Sequence, residues 1–168
     1  MQIAIISDNH LGARNDNQVF LNYMEEYFKN EFFPVLEKRN ITTIFHLGDL
    51  FDRRKYINYY TLSRAKYFLF EELKRRNIAV YMIPGNHDVA YKNTNELNSL
   101  DLLLEPYDNI VIYHKPTIVS VNNRSIGLVP WINKENYDTV VDFIKNNAQN
   151  VDVLAGHFDI QGVEMIKG

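Results

Sequence analysis

The sequence predicts an α/β layered domain, and three observations carry that expectation. Five short apolar or β-branched runs, each closed by polar or glycine residues, read as strands. Amphipathic stretches with apolar residues three and four apart separate the early runs. Strand and helix alternate through most of the 168 residues, which favours parallel pairing early in the chain, with an antiparallel insertion late.

The strand runs cover residues 2–7, 42–47, 78–83, 110–113 and 151–155. Between the first two, residues 19–39 form a predicted helix. Phe20, Met24, Tyr27, Phe28, Phe32, Val35 and Leu36 make its apolar stripe, and Pro34 suggests a kink. Asn58 is the predicted cap of a second helix reaching about Arg76, with Leu62, Ala65, Leu69 and Leu73 along its inner face. Shorter helices are expected at 95–104 and 134–147. Residues 117–121 and 125–129, separated by Asn122, Asn123 and Arg124, look like a hairpin. No repeat or linker divides the chain, so residues 1–168 read as one domain.

Composition narrows the chemistry. With 46% hydrophobic residues and only 7 Gly and 5 Pro, the chain has apolar area to offset the entropy of ordering, which excludes a disordered or low-complexity protein. The absence of cysteine excludes disulfides, thiolate nucleophiles and Cys-type zinc sites, leaving any metal to imidazole, carboxylate and amide oxygen. Apolar runs are only a few residues long and the first lacks a basic flank, so neither membrane nor export is expected and the cytoplasm is the default. From Arg53 to Arg76 eight Lys/Arg stand against two Glu, a local +6. With a formal net charge of −3 the remainder carries −9, so one face is expected to be basic.

Four polar clusters close four of the strands: Asp8-Asn9-His10, Gly48-Asp49, Gly85-Asn86-His87-Asp88 and Gly156-His157. Ligand sites in open α/β sheets form beyond the carboxyl ends of strands, so these clusters should meet in space. If Asp8 to His10 continues extended, both side chains point to one side and offer a carboxylate and an imidazole to a single cation. Asp49 can share its oxygens between neighbouring cations, while Asn86 adds an amide oxygen and His157 a further imidazole. This all-N/O set suits manganese, iron or zinc. Two divalent ions about 3.5–4 Å apart would acidify a shared water and clamp the attacking and leaving oxygens of a phosphate ester. His87 is then placed to donate a proton to the departing oxygen or to bind a nonbridging one. Glycines 48, 85 and 156 are expected to turn the backbone sharply beside the metals. Asp52 and Asp88 are assigned to orienting histidines or loops.

These residues carry a resemblance. Asp8-x-His10, Gly48-Asp49-Leu50-Phe51-Asp52, Gly85-Asn86-His87-Asp88 and Gly156-His157 resemble the successive motifs of the calcineurin-like metallophosphoesterases. Ser7-Asp8-Asn9-His10-Leu11-Gly12 and the stretch from Leu47 to Asp52 are similar to the SbcD-type DNA repair and recombination nucleases. Tyr91-Lys92-Asn93 and Leu128-Val129-Pro130-Trp131 point to their tailed-phage branch, the recombination endonuclease subunits. The resemblance implies a layered α/β/β/α sandwich with a mixed sheet. It implies two metal ions, usually Mn2+, with Asp8 and His10 on one, Asn86 and His157 on the other, and Asp49 between them. It also implies that His87 is catalytic, that the substrate is DNA, cleaved by exonuclease and single-strand endonuclease activity, and that the partner is an SbcC-like coiled-coil ATPase. A homodimer is left open, and a phage-encoded protein would work in the host bacterial cytoplasm. Such proteins close the site with a Gly-His-x-His motif after Gly156-His157, which these 168 residues do not contain. They therefore read as the amino-terminal part of a longer protein, each cation one ligand short.

Other residues admit two readings. Arg53-Arg54-Lys55-Tyr56, followed by Tyr59 and Tyr60, interleaves cations with aromatics as a DNA-tracking surface would, or begins a solvated helix with core tyrosines. His46 and His114 are read as structural and Trp131 as core packing. At the level of function, a phosphomonoesterase or cyclic nucleotide phosphodiesterase of the same superfamily is the first alternative, and a non-catalytic scaffold on the same fold is the second.

Overall fold

In the computed structural model, which describes residues 2–159, the first four apolar runs form one parallel sheet. β1 (Ala4–Ile6), β2 (Thr43–His46), β3 (Ala79–Met82) and β4 (Ile110–Ile112) lie side by side in chain order. Each is shorter than the run that predicts it. Every residue of β2 is buried, as expected for a strand covered on both faces. Ile44, Val80 and Met82 join the core shared with the first two helices, whereas Phe45 and Ile83 pack with the second sheet.

Parallel neighbours need crossovers, and two helices supply the first two. The first, α1, runs over residues 18–38 as Gln18–Tyr27, a π-helical turn at Phe28–Phe32, and Phe33–Lys38. The second, α2, spans residues 59–75 with a similar turn at Lys66–Phe70. Asn58 caps α2 as expected, its Oδ1 accepting the Tyr60 N–H at 2.8 Å. In α1 the π turn ends just before Pro34, with the Phe33 N–H reaching back to the Phe28 carbonyl, and so accommodates a residue that has no N–H to give. The wider turn also rotates the apolar face. Leu21, Phe28, Phe32, Phe33 and Leu36 are buried, whereas Phe20, Tyr27 and Val35 of the expected stripe are exposed. Phe28 stacks on Phe68 of α2 with ring centroids 5.8 Å apart, and Ala65, Leu69 and Leu73 form the inner stripe of α2 as predicted.

The second sheet is mixed. β5 (Thr117–Val121) pairs antiparallel with β6 (Arg124–Val129), which pairs parallel with β7 (Val153–Gly156). The hairpin turn is only Asn122 and Asn123, with φ of 53° and 62°, the left-handed pair that a two-residue hairpin favours. Arg124 therefore belongs to β6 and not to the loop. Two helices start later than expected: α3 is Ser99–Leu104, capped by Asn98, and α4 is Tyr137–Asn147. Phe143 of α4 packs beside Gly127 of β6. The layers run α1 and α2, parallel sheet, mixed sheet, α4, which is the α/β/β/α order. Among the described residues no helix is long and apolar enough to cross a membrane.

Candidate metal centre

The loops after β1, β2 and β3 and the residue after β7 meet at one edge of the two sheets. Backbone hydrogen bonds tie the first two loops together: the Asp8 N–H to the Gly48 carbonyl and the His10 N–H to the Asp49 carbonyl, both at 3.0 Å. Contrary to expectation, residues 8–10 are not extended. Asp8, His10 and Asp49 have φ of 56°, 45° and 55°, left-handed conformations that Asp and His tolerate better than most residues. The alternation of an extended strand therefore does not explain why Asp8 and His10 converge; both residues are left-handed, on either side of Asn9. Their side chains still meet, with His10 Nε2 3.6 Å from Asp8 Oδ1.

Asp49 lies at the middle, only 3% exposed. Its Oδ1 accepts the His87 N–H at 2.7 Å. Its Oδ2 stands 3.6 Å from His10 Nε2 and 3.5 Å from His157 Nε2. Two ligand-capable groups result, His10 with Asp49 and His87, and Asp8 with Asp49 and His157; within each, the candidate atoms lie within 4.8 Å of one another. Asn86 joins the second through its Oδ1, 2.9 Å from His157 Nε2. In this arrangement His87 offers a ring nitrogen to the first group as well as standing next to Asn86.

The chemistry of these atoms fits a cation. His157 Nδ1 is 2.8 Å from the Leu47 carbonyl oxygen, so that nitrogen carries the ring hydrogen and Nε2 presents a lone pair. That lone pair faces the Asn86 oxygen and the Asp49 carboxylate, which are acceptors too. Acceptors facing one another across such distances repel unless a proton or a metal ion stands between them. Divalent ions therefore suit Asp8, His10, Asp49, Asn86 and His157 on electrostatic grounds. His87 Nδ1 is likewise held by the Asp52 carbonyl oxygen, which leaves Nε2 as its free atom. Its ring meets that of His10 edge to face, with centroids 4.9 Å apart.

Asp52 and Asp88, the residues assigned to orienting histidines or loops, stand beside this cluster. The Asp52 carboxylate lies 3.5 Å from His10 Nδ1. Asp88 is fully buried and accepts three backbone N–H groups, from Asp49 at 2.7 Å, Gly85 at 2.9 Å and Leu50 at 3.1 Å, pinning the second loop to the third. Burial pushes its carboxyl up to about 6, and those N–H groups hold it from rising further. The glycines act differently from one another. Gly48 does turn the chain, with φ of 98°, whereas Gly85 is needed for close approach, since a Cβ there would lie 2.2 Å from Asp49 Oδ1. Gly156 also serves packing, its virtual Cβ falling 2.6 Å from the Val129 carbonyl oxygen. His46, read as structural, bridges the first two loops through Asn9 and Gly48, and the part of Asn9 was not foreseen. The one signal was a histidine inside an otherwise apolar strand.

The expected basic face is largely neutralised. Arg53 contacts Asp16 at 3.3 Å, Asn15 at 2.6 Å and the Tyr56 hydroxyl at 2.8 Å. Arg64 pairs with Glu25, Lys74 with Asp108, Arg75 with Glu72, and Arg76 with Glu37 and Glu72. Among the described residues, Arg54, Lys55 and Lys66 have no such partner. They include two of the four residues suggested for DNA contact, and Tyr56 beside them is exposed. Tyr59 and Tyr60 are exposed and not in the core. His114 lies beside Asp101 at the surface, away from the centre, and the half-buried Trp131 meets His157 edge to face at 6.0 Å.

With this geometry in place, the comparison with known proteins is specific. The chain matches the calcineurin-like phosphoesterases over residues 1–166. It belongs to that family. Exonuclease subunit 1 of Enterobacteria phage T4 is 33% identical over 168 residues, covering 100% of this chain and 48% of that protein. The DNA double-strand break repair protein Mre11 of Saccharolobus solfataricus is 29% identical over 140 residues, covering 80% of this chain and 35% of that protein. Mre11 of Methanocaldococcus jannaschii is 28% identical over 152 residues, 87% of this chain and 39% of that protein. This calcineurin-like phosphoesterase chain thus spans about half the length of the phage relative, and less of the others.

Proposed function

We propose that this chain is the phosphodiesterase module of a metal-dependent DNA nuclease, acting as exonuclease and single-strand endonuclease in repair or recombination. The observation that carries the reading is the shared carboxylate: Asp49 belongs to both ligand-capable groups, as a pair of divalent ions would require. The choice of DNA over another ester is supported by the relatives, which are an exonuclease subunit and double-strand break repair proteins. The partner in this reading is an SbcC-like coiled-coil ATPase, in keeping with the relative being named a subunit, and the setting is the host cytoplasm.

Two divalent ions, Mn2+ in this proposal, would supply an activated water and the positive charge that draws in an anionic diester. Asp8, His10, Asn86 and His157 would hold them, with Asp49 common to both groups. The remaining work falls to the chain's own side chains. His87 has Nδ1–H fixed by the Asp52 carbonyl, so a second proton taken up by the ring would sit on Nε2, and this imidazolium N–H is the one given to the departing sugar oxygen, leaving the neutral ring. The half-buried position of His87 beside His10 keeps that nitrogen next to the cluster. Arg54, Lys55 and Tyr56, which follow Asp52 closely in the chain, guide the strand by phosphate contact and stacking, while Arg53 braces Tyr56.

The full-length protein, loaded with Mn2+, is expected to degrade linear DNA and nick single strands while turning over mononucleotides and cyclic nucleotides poorly. Preferential hydrolysis of either small substrate would replace this reading with the corresponding phosphomonoesterase or cyclic nucleotide phosphodiesterase.

A further inference from the structure

Asp8, His10 and Asp49 all sit at positive φ, a conformation disfavoured for residues with a Cβ, and such strain persists only where the surroundings over-determine it. Of the backbone hydrogen bonds between the first and second loops, those to Gly48 and Asp49 fix Asp8 and His10 at their amides, and Leu11 continues the pairing with Leu50 and Asp52. Asn9, between them, is held by its side chain. Its Oδ1 lies 2.6 Å from Nε2 of His46, the last residue of β2, and the Gly48 N–H donates to Nδ1 of the same ring at 3.2 Å. One imidazole thus donates to the first loop and accepts from the second.

His46 is buried, and its strand neighbours Ile44, Phe45 and Leu47 are apolar. An apolar side chain would fill such a position without desolvating two ring nitrogens. Both nitrogens find partners here, and both partners belong to loops that carry candidate ligands, not to the sheet. Burial lowers the imidazole to about 4, which keeps the ring neutral and preserves the one-donor, one-acceptor tautomer.

We propose that His46 is a positioning residue that locks the Asp8–His10 loop against the Asp49 loop, and so sets how the two ligand groups sharing Asp49 stand relative to each other. The inference rests on the reading of the centre as a metal pair. His46 touches no metal or substrate; it acts through Asn9 and Gly48.

The test uses the full-length protein and Mn2+ alone as the probe. Metal uptake is followed by calorimetry, the pair by the spin-coupled electron paramagnetic resonance signal of neighbouring Mn2+ ions, and the fold by thermal unfolding without metal. His46→Phe is expected to weaken Mn2+ binding by about tenfold to a hundredfold, the size of effect typical of residues behind metal ligands, and to replace the coupled signal with that of isolated ions. Asn9→Ala should reproduce part of the loss, and the double variant should be no worse than His46→Phe, because both act on one link. His46→Gln, which can donate and accept at the same place, should recover part of the affinity. Wild-type affinity and coupling in His46→Phe would overturn the proposal. So would additive losses in the double variant, or a fall in metal-free unfolding temperature with the Mn2+ signal unchanged. If His46→Phe does not fold, wild-type coupling in Asn9→Ala overturns it and a lost coupling supports it. A wild-type protein that takes up no Mn2+ pair defeats the metal reading itself, an outcome distinct from all of these.

Discussion

In the loops after β1, β2, β3 and β7, carboxylates and imidazoles face one another within 3.6 Å, and among the described residues neither Asp8 nor Asp49 is paired with a lysine or arginine. Between Arg53 and Arg76 the opposite holds, since five of the eight cations contact a carboxylate. The two regions have opposite formal charge, yet the chain supplies counter-charges to most of the second and to none of the first. A cation cluster neutralised by its own chain holds helices together and adds little long-range field. An acceptor cluster gathered round a buried carboxylate, with no cation from the chain, is one that a cation from solution can complete.

The largest effect should come from breaking the first region at its shared residue. Asp49→Asn keeps an oxygen for the His87 N–H but removes the charge on which both groups depend. Calorimetry with Mn2+ should show the pair lost, and DNA hydrolysis should fall by roughly 10^3-fold or more, as loss of metal-borne transition-state stabilisation implies. Undiminished binding of two ions would show that the missing positive charge is not what the cluster awaits.

His87 sharpens the same side of the comparison, because its free nitrogen stands in a ligand-capable group and also next to the reacting region. If it carries the proton to the leaving oxygen, His87→Ala should lower DNA turnover by about 10^2–10^4-fold while Mn2+ affinity stays near wild type. A diester with a nitrophenolate leaving group, which needs no proton, should suffer much less. Parallel loss of Mn2+ affinity would make His87 a ligand instead.

What could be read from the sequence follows the same division. The four polar clusters were visible because three of them open with glycine at a strand end and the side chains of all four are chemically distinctive. Asn58 announced its helix because an Asx cap is a local hydrogen bond that needs no tertiary partner. The pairing of Arg64 with Glu25 and of Arg76 with Glu37 joins residues 39 apart, and no local pattern encodes it, so a charge count over 53–76 overstated the basic face. The left-handed backbone at Asp8 and His10 was hidden for a related reason: the hydrogen bonds that hold it run to Gly48 and Asp49, across the sheet. Gly85, expected to turn the backbone sharply, instead gives clearance, which depends on where Asp49 arrives.

The basic segment offers a smaller test, of finished against unfinished cations. Lys55→Ala removes an exposed charge with no ion-pair partner among the described residues, so the slope of log DNA affinity against log salt should flatten by about 1. Arg53→Ala removes a guanidinium already bound to Asp16, Asn15 and Tyr56, and should lower the unfolding temperature while leaving that slope nearly unchanged. Equal flattening in both variants would mean that pairing within the chain does not withdraw a cation from DNA.

The smallest expected effect concerns a carboxylate that, unlike Asp8 and Asp49, is fully provided for. Asp152 accepts the Ser125 N–H at 2.8 Å, the Ser125 hydroxyl at 3.1 Å and an Arg124 guanidinium N–H at 2.7 Å. The backbone N–H of Ser125, aided by Arg124 and the hydroxyl, holds its carboxyl down to about 2, below the ordinary 3.8. A carboxyl depressed on folding stabilises the native state above its unfolded value and loses that contribution as the pH falls toward the folded one. The urea midpoint of wild type should therefore exceed that of Asp152→Asn at pH 6, and the difference should shrink between pH 4 and pH 2. The margin will be modest, because the pair is solvent-exposed and screened, and it should narrow further in high salt. A difference that stayed constant over that pH range would show that the hydrogen bonds, which asparagine can partly accept, matter at this strand end and the charge does not.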